Sequence, residues 1–562
     1  MDPTAEERLQ QANRLQQQGR LEDAAELYQA LASEYPHDPQ CRFGLAMVEV
    51  SRANPSVAVG HLKSVLQIAP EMPNARRWMG RCLRVLGKND EAVRCFEICT
   101  DEASCDPGEL LELGEARLAA GQTDRGRATL QNFVEQSEDH AEAMLDAGLS
   151  YHQAGLLDEA AAQYRQALDR EPELQLARRN LAAVFQAQGR LDEAESMYRQ
   201  VLETETGNHE VWQNLGTLLK DKDQLADALN CYERAMRLYR LPCPGDLAMV
   251  LQQNPEAKQT SLHHLKLQAE QLEYLRARGR LSPANAGLAG RYREVIAEIE
   301  TARPTSHRIV MNEEQFKRIG PTNGRLMHLT PANTVPGGAL NPDLDFAGID
   351  GSYCAKSPGL VVIDNFLKAD ALKRLRDYCL ESTVWFDFRK AGGYCGSYMQ
   401  DGFGNDLLMQ LAGELREKLP QILGQHPLNQ MWGYIYDSEM SGITAHADAA
   451  AVNLNFWITP DEANEDPDSG GLIVYTKEAP VEWDFDKYNN EYDAIEAFAK
   501  GSDTVVVTHR CNRAVLFHSN LIHKTDNIRF KTGLENRRIN ITMLFGQRAS
   551  APSIPGGVNL ET

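Results

Sequence analysis

No stretch of this chain approaches the ~20 consecutive apolar residues that a membrane-spanning helix needs, and none of its 11 cysteines stands in a C-x-x-C pair. The first absence argues against a spanning helix. The second removes the usual thiolate zinc site, and an odd, scattered set of cysteines suggests no disulfide framework. Reduced thiols that fill core space are expected. Positive charge is also short: 58 Lys and Arg stand against 80 Asp and Glu, a formal net charge of -22. Such a surface repels a phosphate backbone, so neither nucleic acid nor a membrane is an expected partner. The opening residues Met1-Asp2-Pro3-Thr4-Ala5-Glu6-Glu7 lack the basic and apolar segments of a secretory leader, and a cytoplasmic location is expected. At roughly 100 to 200 residues per domain, 562 residues imply about three folded parts.

The first of these, residues 1–240, is periodic. Gly19, Ala53, Gly87, Gly121, Gly155, Gly189 and Asp223 follow one another at intervals of 34 residues. Seven residues before each marker stand Ala12, Ala46, Gly80, Gly114, Gly148, Ala182 and Gly216, and five after each stand Ala24, Ala58, Ala92, Gly126, Ala160, Ala194 and Ala228. Small side chains at these offsets let two helices approach closely. Nine after the markers come Tyr28, Leu62, Phe96, Leu130, Tyr164, Tyr198 and Tyr232, expected to fill the space between repeats. Pro36, Pro70 and Pro172 punctuate the ends of second helices. Seven such units resemble the tetratricopeptide repeat, a helix-turn-helix of this period. The resemblance implies an all-α solenoid whose groove receives a peptide or partner helix, with an internal brace or dimer interface as the other reading. The oligomeric state is not legible.

Residues 241–350 read as a helical and irregular linker. Leu241-Pro242-Cys243-Pro244-Gly245 breaks the stacking, and helical spacing of apolar residues returns over 262–279 and 287–301. His263 and His264 are neighbours on the first of these helices and point in different directions, which argues against a metal pair. Residues 304–357, rich in Pro, Gly, Asn and Thr, read as a long irregular connection.

The third part, residues 351–550, carries the chemistry. A strand is expected over 359–364, a helix over 370–382 with Asp370 placed to cap it, and another helix over 407–423. Strand candidates follow at 431–436, 452–458, 472–475, 504–507, 514–517 and 538–545. Helices followed by many short strands suggest a double-stranded β-helix of the jelly-roll kind. Within it stands His446-Ala447-Asp448, followed by His523 and Arg538. Residues i and i+2 share a side only on extended backbone, so His446 and Asp448 can hold one ion from a strand-like segment while Ala447 turns away. Two imidazoles and one carboxylate on one face of a metal, with open positions opposite, suit Fe(II). His518 and His509 compete with His523 for the third position. His518 closes an apolar run, whereas His523 is expected in the loop just beyond. Arg537 competes with Arg538, which shares a strand face with Asn540 and Thr542.

His446-x-Asp448, the Gly470-Gly471 hairpin, the run from Asn512 to His523 and Arg538-Ile539-Asn540 together resemble the Fe(II)- and 2-oxoglutarate-dependent dioxygenases, in particular their prolyl-hydroxylase-like branch. The likeness spans roughly 359–548. It implies that His446, Asp448 and His523 hold iron and that Arg538 binds the far carboxylate of 2-oxoglutarate. It also implies consumption of O2 and, as an option, ascorbate. Tyr436 and Asn455 are candidate cosubstrate neighbours. Tyr436 reads equally as a buried tyrosine bonded to backbone. The family spaces its distal His and basic residue by about ten, so the fifteen residues from His523 to Arg538 imply an inserted turn near 527–536. The activity implied is hydroxylation of a protein or peptide, proline being one target, captured by the repeats. A small-molecule hydroxylase and a noncatalytic repeat scaffold are the alternatives.

Overall fold

A computed structural model describes residues 3–100, 105–241, 247–254, 256–304, 306–388, 393–440 and 442–548. The chain divides into two compact units, Met1–Met197 and Tyr198–Thr562.

In the first unit helices alternate from Pro3–Gln17 to Gln175–Ala187. Several starts are legible in the sequence. Asp38, Asp106 and Asp139 accept hydrogen bonds from backbone N–H groups of the first turn, and Pro39 and Pro107 occupy the first helical position. The corners explain the period. Every marker has a positive φ, from 58° at Ala53 and Asp223 to 75° at Gly189. The residue after it donates its N–H back across the turn, as in Arg20 to Leu15 (2.9 Å), Asn54 to Glu49 (2.9 Å) and Arg190 to Phe185 (2.8 Å). Each corner is thus a Schellman-type helix stop, in which glycine adopts the left-handed region without cost.

The large residues nine after the markers pack differently from expectation. They press first on the small residue of their own repeat: a Cβ added to Gly80, Gly114 or Gly148 would meet Phe96, Leu130 or Tyr164 at 2.8, 2.7 and 2.6 Å. Tyr28 does reach the next repeat, where it covers Gly44. Between helices Pro73–Val85 and Pro107–Ala119 runs a ladder of ion pairs, Arg77 with Glu109, Arg81 with Glu112 and Arg84 with Glu115.

The second unit holds the final repeat, His209–Asp221 and Leu225–Arg240. Its second helix is tied to the rest of that unit. Arg240 grips Asp401 with two nitrogens (2.7 and 3.2 Å) and stacks its guanidinium 4.3 Å from the Phe386 ring, while Met236 joins Leu326, Val384 and Phe386 in one apolar cluster. Lys220 donates to the Asn429 carbonyl (3.1 Å), and Arg416 meets Asp223 (3.2 Å). The breaker residues 242–245 lie outside the described residues. Helices Leu262–Ala277 and Leu288–Ala302 stand where the spacing expected them. The connection expected to be irregular is partly ordered: an Asn312–Gln315 capping box starts helix Glu313–Ile319, and Phe346–Cys354 is also helical.

Strands β1 (Gln259–Thr260) and β2 (Ile309–Val310) pair with each other. The remaining strands are β3 (Leu360–Ile363), β4 (Tyr394–Tyr398), β5 (Leu428–Tyr436), β6 (Glu439–Met440), β7 (Val452–Trp457), β8 (Leu472–Glu478), β9 (Thr504–Val507), β10 (Ala514–His518), β11 (Leu521–Thr525), β12 (Ile528–Arg529) and β13 (Ile539–Phe545). A six-stranded antiparallel sheet has the order β3-β10-β7-β13-β5-β4, and a three-stranded one the order β11-β8-β9. The short strands β6 and β12 form a separate pair. Trp457, Val515 and Phe517 of the large sheet share an apolar cluster with Leu472, Val474, Val507 and Leu521 of the small one, so the two sheets face each other.

Several local expectations change. Lys368, not Asp370, precedes helix Ala369–Glu381. Asp370 sits inside its first turn and pairs with Arg374 (2.9 Å). The helix expected over 407–423 is two, Asp406–Lys418 and Pro420–Leu423, because Pro420 cannot continue a helix interior. Strand β4 and helices Phe485–Asn489 and Tyr492–Ala499 were not foreseen. His523 lies on β11 rather than in a loop. Among the described residues no helix is long and apolar enough to cross a membrane, and no two cysteines form a disulfide.

Candidate metal centre

His446 and His523 face each other as an isolated antiparallel bridge in which each backbone N–H donates to the other's carbonyl, at 3.0 and 2.9 Å. This pairing carries the extended segment before Asp448 alongside β11 and brings the two rings to 4.4 Å between centroids. Asp448 follows two residues later, and Ala447 turns its methyl into a separate apolar cluster with Tyr488, Ile495 and Ile522. One ligand atom from each of His446, Asp448 and His523 lies within 4.8 Å of the others, the one such group of three found among the described residues. The His523 Nε2 stands 3.3 Å from Asp448 Oδ2, and the His446 Nε2 3.9 Å from Asp448 Oδ1.

The donor chemistry fits a divalent ion. Both imidazoles turn Nδ1 to a backbone carbonyl two residues back, Thr444 at 2.8 Å for His446 and Leu521 at 3.0 Å for His523. That bond fixes Nδ1 as the protonated nitrogen and leaves the Nε2 lone pair for a metal. Burial pushes the Asp448 carboxyl up, but the neighbouring His523 and His446 rings and the Asn453 amide together hold it below the ordinary carboxylate value. Ligand atoms bound at ~2.1 Å to one ion stand roughly 3 to 4 Å apart, so small side-chain adjustments complete the set. His518 is half-exposed beside Glu478 (3.5 Å) and belongs to no such group. His509 is buried against Trp457 and Phe530. His264 stacks on Phe388 at 4.6 Å, as a core histidine does.

A buried polar ladder extends from the triad. Asn453 donates to Asp448 Oδ2, Asn455 donates to Asn453 (2.6 Å), and the Asn455 carbonyl accepts from Asn540 (2.8 Å) and Thr542 (2.7 Å). Asn455 therefore spends its oxygen on β13 and one N–H on its own strand. Sequence reasoning missed Asn453, although its alternation with Asn455 along β7 was the available signal.

The two arginines separate cleanly. Arg537 forms a bidentate pair with Glu270 of helix Leu262–Ala277 (2.7 and 3.2 Å) and also donates to the Tyr436 carbonyl. Arg538 turns inward just ahead of β13, its backbone carbonyl accepting from Tyr436 N–H at 3.0 Å. Its guanidinium donates to the carbonyls of Gly470 (2.6 Å) and Gly471 (3.2 Å) and lies 4.6 Å from the Tyr436 ring. Its Nη1 is buried without a protein partner, as are the Trp457 indole nitrogen and both His509 ring nitrogens nearby. Burial lowers the guanidinium's pKa and also pushes His509 down to about 3, Arg538 adding to the latter. A buried cation facing carbonyls rather than a carboxylate is suited to an incoming anion. Burial likewise raises the Tyr436 phenol, opposed by Arg538 and by hydrogen bonds with Thr525 and Arg538. Thr525 and His523 alternate along β11, so this contact connects the anion-facing end with the triad. The inserted turn between His523 and Arg538 is occupied by β12 and the short 3₁₀ turn Leu534–Asn536.

Comparison with known proteins identifies the helical part. Tetratricopeptide-repeat families match residues 9–73, 111–174 and 173–241. Similar solved structures include a tetratricopeptide repeat protein from Parabacteroides merdae, 13% identical over 44% of this chain and 96% of that one, TM-score 0.36. The C-terminal part of a repeat protein from Cytophaga hutchinsonii is 12% identical over 43% and 98%, TM-score 0.34. YrrB, described as a repeat protein with an unusual peptide-binding site, is 21% identical over 32% and 92%, TM-score 0.26. No curated protein matches the chain. The chain thus carries tetratricopeptide repeats, followed by a region of antiparallel sheets that contains a His-Asp-His group.

Proposed function

We propose that the sheet region is an Fe(II)- and 2-oxoglutarate-dependent dioxygenase of double-stranded β-helix architecture, and that it hydroxylates a protein or peptide captured by the repeats. The convergence of His446, Asp448 and His523 carries this reading. Two facing antiparallel sheets, with the triad on the segment bridged to β11, support the architecture. Iron bound there with 2-oxoglutarate would supply the oxygen chemistry that converts a substrate C–H to C–OH while releasing succinate and carbon dioxide.

This chain's own residues would do the rest. The two Nε2 atoms and one Asp448 oxygen hold the ion on one side. Asn453 fixes the carboxylate's orientation, as outer partners of metal ligands do. Arg538 receives the distant carboxylate of the keto acid through its unpartnered nitrogen, and Tyr436 supports the guanidinium from beneath. The repeat array offers an extended surface suited to a peptide.

The test is direct. Purified protein given Fe(II), O2 and 2-oxoglutarate should form succinate, and this should rise with peptide rather than with metabolite substrates. His446→Ala and Asp448→Ala should abolish turnover while the helical circular dichroism of the repeats persists. Succinate formation that is insensitive to both substitutions would overturn the proposal.

A further inference from the structure

Between β8 and β9 the chain leaves the small sheet to form helices Phe485–Asn489 and Tyr492–Ala499 before returning. This excursion packs on Ala447 among other residues of the sheet region, and Ala447 stands between two of the three triad members. The Ala447 N–H donates to the Tyr488 carbonyl at 2.9 Å, and the Ala447 carbonyl accepts from the Asn489 side-chain amide at 3.0 Å. Its methyl is fully buried among Ala479, Tyr488, Ile495, Ala499 and Ile522. Both polar groups of this residue and its side chain are thus held by the excursion. The excursion is itself pinned. Arg548 donates to the carbonyls of Ala479 and Pro480, each at 2.9 Å, and stacks on the Tyr488 ring at 3.8 Å.

Resting on the triad being a metal site, we infer that this two-helix excursion is a clamp and that Asn489 is a positioning residue for the ion. His446 and Asp448 can share an ion only while the backbone joining them stays extended with both side chains on one side. His446 is restrained by its bridge to His523, and Asp448 by its N–H to Ser519 (3.2 Å) and by Asn453. The residue between them belongs to no sheet, so the amide of Asn489 stands in for a missing neighbouring strand. Loosening it lets the His446–Asp448 separation vary, and a ligand set that must be ordered on binding holds metal more weakly. Outer partners of metal ligands typically contribute about 10- to 100-fold in affinity.

The experiment titrates the full chain with Co(II) alone, following the visible absorption of the bound ion, with thermal unfolding of the metal-free protein in parallel. Asn489→Ala should raise the Co(II) dissociation constant about tenfold and alter the band shape. Asn490→Ala removes the neighbouring exposed amide, which bonds Asp486 (2.8 Å) within its own helix, and should leave both unchanged. Asn489→Ala with wild-type affinity and spectrum, or with a loss matched in Asn490→Ala, would overturn the clamp. If wild type and His446→Ala bind Co(II) alike, it is the metal reading that fails, since the clamp would then have no ion to position.

Discussion

Arg537 and Arg538 are adjacent, identical in chemistry and opposite in task. The extended backbone between the 3₁₀ turn and β13 sends them to opposite sides. Arg537 points to helix Leu262–Ala277 and is neutralised by Glu270, whereas Arg538 points between the sheets with one nitrogen unspent. Removing them should therefore produce different defects. Arg538→Ala should weaken 2-oxoglutarate binding by roughly a hundredfold, the scale of a lost hydrogen bond between charged groups of about 3 kcal/mol. Arg537→Ala should leave that affinity within about threefold but lower stability by roughly 2 to 3 kcal/mol, because a half-buried Glu270 loses its partner. Equilibrium dialysis and urea unfolding of the two variants would separate these outcomes, and a reversed pattern would refute the assignment. The sequence made Arg538 readable through its shared face with Asn540 and Thr542. It left Glu270 invisible, because an ion pair spanning 267 residues leaves no local pattern. Asn489 was hidden for a related reason: its partner, Ala447, lies 42 residues away and is set by tertiary packing.

At the scale of elements, the 34-residue period is a period of backbone conformation before it is one of side chains. Glycine at five of seven corners meets the left-handed requirement, and Ala53 and Asp223 meet it at a cost of about 1 kcal/mol each. Ala53→Gly should therefore raise stability by roughly 0.5 kcal/mol, the looser unfolded chain offsetting part of the gain. Gly148→Val should lower it by about 1 to 3 kcal/mol, since even its Cβ meets the Tyr164 ring at 2.6 Å. Thermal melts followed by circular dichroism would record both signs, and a stabilising Gly148→Val would contradict the packing described. Helices and most strands were legible from periodicity, which packing reinforces. Strand β4, with Gly396 under the Tyr434 ring, was not, because glycine and serine inside it interrupt the β-branched and aromatic run that marks a strand. His523 was misread as loop because β11 pairs through a register shift between Leu521 and His523.

For the molecule as a whole, the compact division falls after Met197, inside the repeat array rather than at its end. The final repeat accordingly has a second task. Arg240, Asp223, Lys220 and Met236 make it part of the sheet-bearing unit. A fragment covering 198–562 should therefore unfold cooperatively, and one covering 241–562 should melt at least ~3 °C lower, which the loss of about 2 kcal/mol or more would produce in a unit of this size. Scanning calorimetry of both would decide, equal midpoints speaking against the brace. At the corners upstream the same Schellman bonds recur. The corner geometry is therefore common to all seven repeats, and what commits the last one to the sheet-bearing unit is the set of partners its side chains find there.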